Sequence, residues 1–264
     1  MDELRDAKPA LIAAALAVLW TLETVVPQFA GRQRRLSHYG HNLALGLLNA
    51  ALVSVLFAAA LVQSMEWSSA RALGVLHQLQ MPAWVAWPLA IVLLDLWMYL
   101  WHRLNHRVPL LWRLHSVHHS DAELDASSAS RFHTGEIVLS SLARLAVLPL
   151  LGVTPPQLLC YELLLQPVIL FHHSNVRVPA RLDQVLRTAI VTPRMHWVHH
   201  SRLPVETDSN FASVFSCWDR LFGSFRLRED PTTIALGLEG YAQPEWRSIA
   251  GMLRSPFRRM RDRP

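Results

Sequence analysis

Histidines recur in three closely spaced groups in this chain of 264 residues. The groups read H-R-L-N-H at 102–106, H-S-V-H-H at 115–119 and H-W-V-H-H at 196–200. Residues three and four apart share one face of a helix, so each group is expected to direct its imidazoles to one side. The eight imidazoles are those of His102, His106, His115, His118, His119, His196, His199 and His200.

Imidazole is a good ligand for iron, zinc, copper and nickel. A single zinc ion is saturated by about four ligands, so eight imidazoles would overfill one ion. The pattern therefore predicts a site for two metal ions, with four or five imidazoles each. His133 in R-F-H-T-G-E and His173 in F-H-H-S-N are two further candidate ligands, because apolar runs beside them would return them to the cluster. His172 would face differently from His173 on a helix.

Three polar residues are candidates for supporting the metal ligands. Asp95 lies seven residues before His102 inside an apolar run, where an acid indicates function by default, and we expect it to orient a ligand through the second ring nitrogen. A capping or packing role is the alternative. Glu136 follows His133 and is placed in the same supporting role. Asn210 could bring its oxygen to a metal-bound water, although a turn-forming Asn is the more common meaning of such a residue.

Long apolar blocks predict a membrane protein. Hydrophobic residues make up 52% of the chain, while charged residues make up 17%, below the roughly 25% usual in soluble domains. Blocks at 10–30, 42–62 and 82–101 are long enough to cross a bilayer, and 63–81 is predicted to be a polar connector. We expect an all-α integral membrane bundle with transmembrane helices in 1–101, a histidine-rich catalytic region in 102–228 and a basic C-terminal segment in 229–264.

The stretch 136–171 is apolar but is interrupted by Gly152 and Pro155-Pro156. Each half is about as short as a half-span, which favours a helical hairpin that enters the membrane and returns. A single kinked span is the alternative, and it would place His173 away from the other histidines. With this hairpin, the fold expected is about three full spans plus a re-entrant pair, below a helical cap that holds the metal ions.

Charge distribution predicts the orientation in the membrane. Three Arg residues occur at 32–35 after the first span, whereas one Arg lies between the second and third spans. The positive-inside rule then makes the 31–41 loop, the histidine groups and the C-terminus cytoplasmic, at the inner membrane in a bacterium. The net charge of +5 favours anionic lipid over nucleic acid as a partner. The Arg-rich end from 246 to 263 is either a surface-lying amphipathic segment or a disordered tail.

Taken together, H-R-L-N-H, H-S-V-H-H-S-D-A-E-L-D, R-F-H-T-G-E, F-H-H-S-N, H-W-V-H-H and W-D-R-L-F-G-S-F resemble the fatty acid hydroxylase/sterol desaturase superfamily. The resemblance covers roughly residues 85–228. It implies a membrane-bound, non-haem di-iron oxygenase that hydroxylates or desaturates unactivated C–H bonds of sterols, fatty acyl chains, carotenoids or ether lipids. The family's metal-binding positions correspond to the eight grouped histidines, and zinc can displace iron in such a site.

The resemblance also implies dioxygen as a substrate and an external source of electrons. The sequence has neither G-x-G-x-x-G nor C-x-x-C-H, so a separate carrier such as a ferredoxin or a cytochrome b5-like protein is expected. A membrane metal transporter or other metal-binding protein is the alternative, but transporters place their ligands at the bilayer midplane. A b-type cytochrome and a scaffold with structural zinc are two further alternatives.

Overall fold

Helices form the regular structure of the part of the chain that this computed structural model describes, residues 2–32, 34–241 and 243–258, and no strand occurs in that part. The helices are α1 Asp2–Val25, α2 Arg35–Leu56, α3 Ala58–Ala70, α4 Val75–Gln78, α5 Ala83–Arg107, α6 Pro109–His119, α7 Thr134–Leu151, α8 Pro155–His173, α9 Ala180–Leu186, α10 Pro193–His199, α11 Pro204–Thr207, α12 Cys217–Leu221 and α13 Ile249–Arg254.

Four described helices are long and apolar enough to cross a membrane. They are Asp6–Val25 of α1, Arg35–Leu56, Ala83–Arg107 and Thr134–Leu151. Much of their surface is apolar and exposed, as expected for side chains in contact with lipid. The predicted class, an all-α multi-pass membrane bundle, is confirmed.

The second span differs from its prediction. The helix continues past a distorted residue, Phe57, to Ala70, so most of the expected polar connector 63–81 is helical. No Gly or Pro occurs between Gly46 and Gly74 to stop it. The buried Ser68 hydroxyl also donates to the Pro149 carbonyl of α7 at 2.9 Å, which ties the extension to the bundle.

The predicted hairpin is formed by α7 and α8. Gly152 ends α7 in the left-handed conformation (φ 73°), where a glycine is favoured, and Pro155 begins α8. The far ends of both helices return to the histidines, through Glu136 on α7 and His173 on α8. The helices are longer than half-spans, since the 18 residues of α7 extend roughly 27 Å, close to the ~30 Å of a bilayer core.

A cap of short helices covers the histidine end of the bundle. It consists of α6, α9 to α12 and the C-terminal helix α13. Met252 of α13 is buried against Leu45 and Val117. This part of the basic segment therefore packs against the rest of the protein, whereas the amphipathic pattern suggested a surface-lying segment. Residues 259–264 of the predicted basic segment lie outside the described residues.

Glu23 joins the first span to the cap. One carboxylate oxygen accepts hydrogen bonds from the backbone N–H groups of Ala126 and Asn175, at 2.8 and 2.9 Å. The other accepts from the Arg35 guanidinium at 2.8 Å and the Tyr39 hydroxyl at 2.7 Å. Through these four donors, the buried carboxylate links α1, α2 and the loops that precede α7 and follow α8.

We predict that Glu23→Gln lowers the free energy of unfolding by about 3 kcal/mol, because the amide loses the charge and turns an N–H₂ group towards N–H donors. Denaturant unfolding in detergent micelles measures the change. Glu66→Gln, at an exposed site on α3, is the control and should leave stability within about 0.5 kcal/mol. Equal stability of both variants would contradict the role given to Glu23.

Candidate metal centre

Nine of the ten histidines predicted as ligands converge in two neighbouring groups. In each group, one ligand atom per residue lies within 4.8 Å of every other. The five-histidine group is His102, His106, His115, His119 and His199. The four-histidine group is His118, His173, His196 and His200.

The helices distribute their histidines between the two groups. On α6, His115 and His119 are four residues apart and enter the five-histidine group, while His118 enters the other. On α10, His196 and the following His200 enter the four-histidine group, while His199 enters the first. Each H-x-x-H-H segment therefore serves both groups, whereas the sequence pattern predicted one common direction. Adjacent histidines on one helix point apart by about 100°, which explains the division.

Ring nitrogens in the four-histidine group approach one another at the spacing of metal ligands. The Nε2 of His173 is 3.1 Å from the Nε2 of His118 and 2.9 Å from that of His196. The Nε2 atoms of His196 and His200 are 3.1 Å apart. Ligands at ~2.0–2.1 Å from one ion and at right angles to each other are separated by roughly 3.0 Å. The donor set therefore fits a metal ion.

Four histidines of the five-histidine group have buried ring nitrogens without another partner among the described residues. The Nε2 atoms of His102, His115 and His199 have no hydrogen-bond partner among the described residues, and neither ring nitrogen of His119 has one. Each buried, unsatisfied polar atom costs about 1–3 kcal/mol. A metal ion bound by these lone pairs would remove that cost. The unpartnered nitrogens are therefore suited to binding a metal ion.

In three ligands of the five-histidine group, an oxygen atom holds the ring nitrogen opposite the unpartnered Nε2. The Nδ1 of His102 is 2.9 Å from the Phe211 carbonyl oxygen, and the Nδ1 of His199 is 2.7 Å from that of Ser209. The Nδ1 of His115 is 2.8 Å from a carboxylate oxygen of Glu136. An Nδ1–H that donates to oxygen leaves the Nε2 lone pair directed inwards and fixes the ring. The structure thus places Glu136 against a ligand ring, and a supporting role for it stays a prediction.

Asn210 supports the ligands through the backbone. Its φ of 51° lies in the left-handed region that Asn tolerates. The side-chain amide donates to the Met195 and Arg226 carbonyls at 2.9 and 2.7 Å, and its oxygen accepts from the Arg226 N–H at 2.9 Å. Both the nitrogen and the oxygen of the amide have backbone partners, so the prediction that Asn210 contacts a metal-bound water is wrong. Asn210 instead fixes the turn whose neighbouring carbonyls, at Ser209 and Phe211, hold two ligands.

Asp95 does not contact a histidine, contrary to the prediction. One carboxylate oxygen accepts from the Tyr161 hydroxyl at 2.8 Å and the Val214 N–H at 3.2 Å. The other accepts from the Phe215 N–H at 2.9 Å and the Trp218 indole at 2.8 Å. Two helical turns separate Asp95 from His102, and its four donors come from α8 and the 214–218 segment. It is therefore an anchor for that segment.

His133 is in neither group. Its Nδ1 accepts from the Gly135 N–H at 3.0 Å, as a cap of α7, and its Nε2 lies 3.2 Å from the Leu253 carbonyl oxygen. A capping residue has its ring turned back over its own helix, and this position keeps His133 away from the metal ligands.

Two histidines that the sequence patterns did not favour lie beside the site. The ring of His38 bridges two carboxylates, with Nδ1 2.8 Å from Asp125 and Nε2 2.9 Å from Asp121. In the sequence, the indication of this contact was an acid, Asp121, two residues after His119. The ring of His172 is buried 4.1 Å from that of His196, between centroids.

Burial keeps the cap histidines neutral. It lowers the pKa of each well below the usual value, and neighbouring imidazoles lower the pKa further, in His118, His119, His196, His199 and His200. The neutral form is the one that binds metals. The fold and the site together define the class of the protein: membrane metalloproteins whose metal ligands are histidines.

Within that class, the chain belongs to the fatty acid hydroxylase family. The family model, described as fatty acid hydroxylase, matches residues 87–224, just over half of the chain. This range includes both histidine groups and ends within the 214–225 region that Asp95 anchors. No solved structure is significantly similar to the chain.

Several curated proteins are similar to the chain. An ornithine lipid hydroxylase of Rhizobium tropici is 29% identical over 180 residues, which cover 66% of this chain and 52% of that protein. An alkylglycerol monooxygenase of Danio rerio is 31% identical over 165 residues, covering 61% and 35%. The cholesterol 25-hydroxylase of Homo sapiens is 26% identical over 143 residues, covering 53% and 51%. The chain thus spans about half or less of the length of these relatives.

We predict that Glu136→Ala weakens metal binding to the five-histidine group about 10- to 100-fold, because His115 loses the acceptor that orients it. Competition with a chromophoric zinc chelator measures the affinity of each group. The zinc affinity of Glu136→Gln should lie between those of Glu136→Ala and the wild type, since its amide oxygen can still accept a hydrogen bond from the Nδ1 of His115. Glu123→Ala, which removes a carboxylate paired with Arg247 at the surface, is the control. Unchanged zinc affinity in Glu136→Ala would refute the role.

Proposed function

We propose that this protein is a membrane-bound, non-haem di-iron oxygenase that hydroxylates, or desaturates, an unactivated C–H bond of a lipid. The observation that carries the proposal is the pair of buried histidine groups, five and four imidazoles, at the end of a bundle of membrane helices. Family membership supports the reaction class, and the names of the relatives support a lipid substrate.

Two metal ions, one per group, account for the number of donors. The groups adjoin through sequence neighbours: the rings of His118 and His119 are 5.5 Å apart, and those of His199 and His200 are 5.4 Å apart. Two ions held in these groups would share one buried site. Iron in these positions would supply the dioxygen activation and the redox chemistry needed to oxidise a strong C–H bond, and zinc could replace it in purified protein.

The chain's own residues keep the ligands neutral, oriented and dry. Trp112 packs its ring on His106 and His119, at 4.9 and 5.3 Å between centroids. Phe132 stacks on His118 at 4.4 Å. Such walls exclude water, which would otherwise compete for open metal positions and quench reactive oxygen species.

The position of the groups suits a lipid substrate and a water-soluble electron donor. The histidines lie at the ends of α5 and α8, so hydrocarbon chains can approach from the bundle side while a donor docks on the cap. We propose a separate ferredoxin or cytochrome b5-like protein as the donor, and a cytoplasmic location for the cap on the positive-inside argument. The catalytic region in this scheme is 102–228, between the spans of 1–101 and the segment 229–264.

The transporter alternative is less well supported by the geometry. Transporters bind their ions near the bilayer midplane, in broken helices that can open to either side. Here the ligands lie at one end of the bundle and are held by cap elements such as α6 and α10. We therefore favour the oxygenase.

We predict that the full chain in lipid nanodiscs, loaded with about two ferrous ions and supplied with reduced ferredoxin, oxidises a lipid, either by incorporating one atom of ¹⁸O₂ or by forming a C=C bond. His118→Ala should abolish this turnover, lower the bound iron to about one ion and leave membrane insertion intact. Mass spectrometry of the lipids and metal analysis of the protein give the two readouts.

His77→Ala is the matched control, because His77 lies on α4, near the loop between α7 and α8 and away from both groups. It should keep both turnover and metal content. Oxidation by His118→Ala at the wild-type rate, or no lipid oxidation by the iron-loaded wild type with any phospholipid, glycerol ether or sterol supplied, would refute the proposal.

A further inference from the structure

The segment 211–225 descends from the metal ligands along the outside of α5. Its first residue, Phe211, holds His102 through the backbone, and its middle is anchored to Asp95 through Val214, Phe215 and Trp218. Asp95 lies seven residues from His102, or roughly 10 Å along the helix axis. Because α5 is a membrane span, this part of the cap is at the depth of the bilayer.

Two large apolar side chains of this segment are exposed, next to the exposed Arg220. Leu221 is 69% exposed and Phe222 is 41% exposed, at the end of α12. The adjoining turns of α5 carry Leu100 and Leu104, which are also exposed. An apolar patch that continues the lipid-facing surface of a span is expected to contact lipid chains.

Three aromatic rings connect this patch to the five-histidine group. Phe222 stacks on Tyr99 with 5.1 Å between ring centroids, and Tyr99 meets Phe211 at 6.2 Å. On its other side, Phe211 lies 5.1 Å from the ring of His106 and 5.7 Å from that of His199. We call Phe222, Tyr99 and Phe211 the portal aromatics. Only Phe222 reaches the surface, since Tyr99 and Phe211 are buried.

The outermost ring lies at the end of the short helix α12. Gly223 follows it with a φ of 69°, in the left-handed region that favours glycine, and a side chain at this glycine would meet open space. The Tyr99 hydroxyl and the Ser224 hydroxyl share a hydrogen bond of 2.8 Å, and the Ser224 hydroxyl also donates to the Asp219 carboxylate at 2.8 Å. Moving the Phe222 ring outwards breaks its stacks on Tyr99 and on Trp218.

We propose that the hydrocarbon chain of the lipid substrate enters between α5 and α12, displaces Phe222, and passes Tyr99 and Phe211 to reach the five-histidine group. This inference rests on the proposed function for the identity of the substrate. It adds the route and the residues that form it. The occupant of the patch is thus the acyl or alkyl region of the bilayer.

Membrane contact of α12 can be tested with a native cysteine as the probe. Cys160→Ser leaves Cys217, which is exposed on α12, as the single cysteine of the chain. A nitroxide at Cys217 in the full chain in nanodiscs should collide with oxygen and be protected from a water-soluble nickel complex. Labels at Val55→Cys on a span and Thr232→Cys on the cap, both in a background without native cysteines, give the lipid and water references.

A label at Cys217 that matches Thr232→Cys would overturn lipid contact. Protection from both reagents together with spin–spin broadening would show a second copy covering the patch, and would also overturn it. Neither result depends on whether the protein oxidises lipids.

The route itself is tested by photolabelling of zinc-loaded protein without dioxygen, with diazirines in the hydrocarbon part of a phospholipid, a glycerol ether and a sterol. At least one probe should label the buried Tyr99 and Phe211. Phe222→Ala should raise that labelling about threefold, because the outer ring no longer covers the route. Leu221→Ala, which is more exposed but is not stacked on Tyr99, is the matched control and should leave it unchanged.

Labelling confined to lipid-facing residues such as Val55 and Leu221 with all three probes, or found at Phe132 in place of Tyr99 and Phe211, would overturn the route. Labelling at Tyr99 and Phe211 by a protein that never oxidises lipid would refute the oxygenase and leave the route standing. Lipid oxidation without labelling of Tyr99 and Phe211 would refute the route and leave the oxygenase standing.

Discussion

The convergence of nine imidazoles in one largely buried volume is the constraint on which the rest of the structure depends. Each ring has one nitrogen directed inwards, and an inward lone pair without a partner costs about 1–3 kcal/mol. A cost repeated over the unpartnered nitrogens of the five-histidine group is a large part of the 5–15 kcal/mol by which proteins are stable. Metal binding and folding of the cap are therefore coupled, and much of the surrounding structure serves to hold the rings while the metal satisfies them.

The holding elements are mostly backbone atoms and acids that do not touch the metal positions. Ser209 and Phe211 offer carbonyl oxygens to two ligands, and Asn210 fixes the turn between them. Asp219 accepts from the Phe211 N–H at 2.7 Å, and burial raises the pKa of its carboxyl to about 6. Asp95 then attaches the same segment to α5. One short loop is thus held at three points, which gives two imidazoles a fixed direction on an otherwise irregular stretch.

Much of this arrangement could be predicted from residue spacing alone. The 3.6-residue period of a helix places His102 with His106 and His115 with His119, and apolar length predicts spans. Spacing could not separate His118 from His119 into different groups, because that depends on where α8 and α10 pack. It also failed for Asp95, Asn210 and His133, whose partners are distant backbone groups or a helix end, and for His38, whose two carboxylates are more than 80 residues away.

Helix length sets the depth of the metal site. The 18 residues of α7 and the 19 of α8 both extend from the histidine end to the loop that joins them, a distance of roughly 27–28 Å that matches the hydrocarbon thickness of a bilayer. In the proposed oxygenase, the ligands at this end would lie where the hydrocarbon ends. A site at that depth would be open to apolar chains and to dioxygen, which dissolves well in hydrocarbon. The same two helices that deliver Glu136 and His173 would thus also hold the site at the boundary between lipid and water.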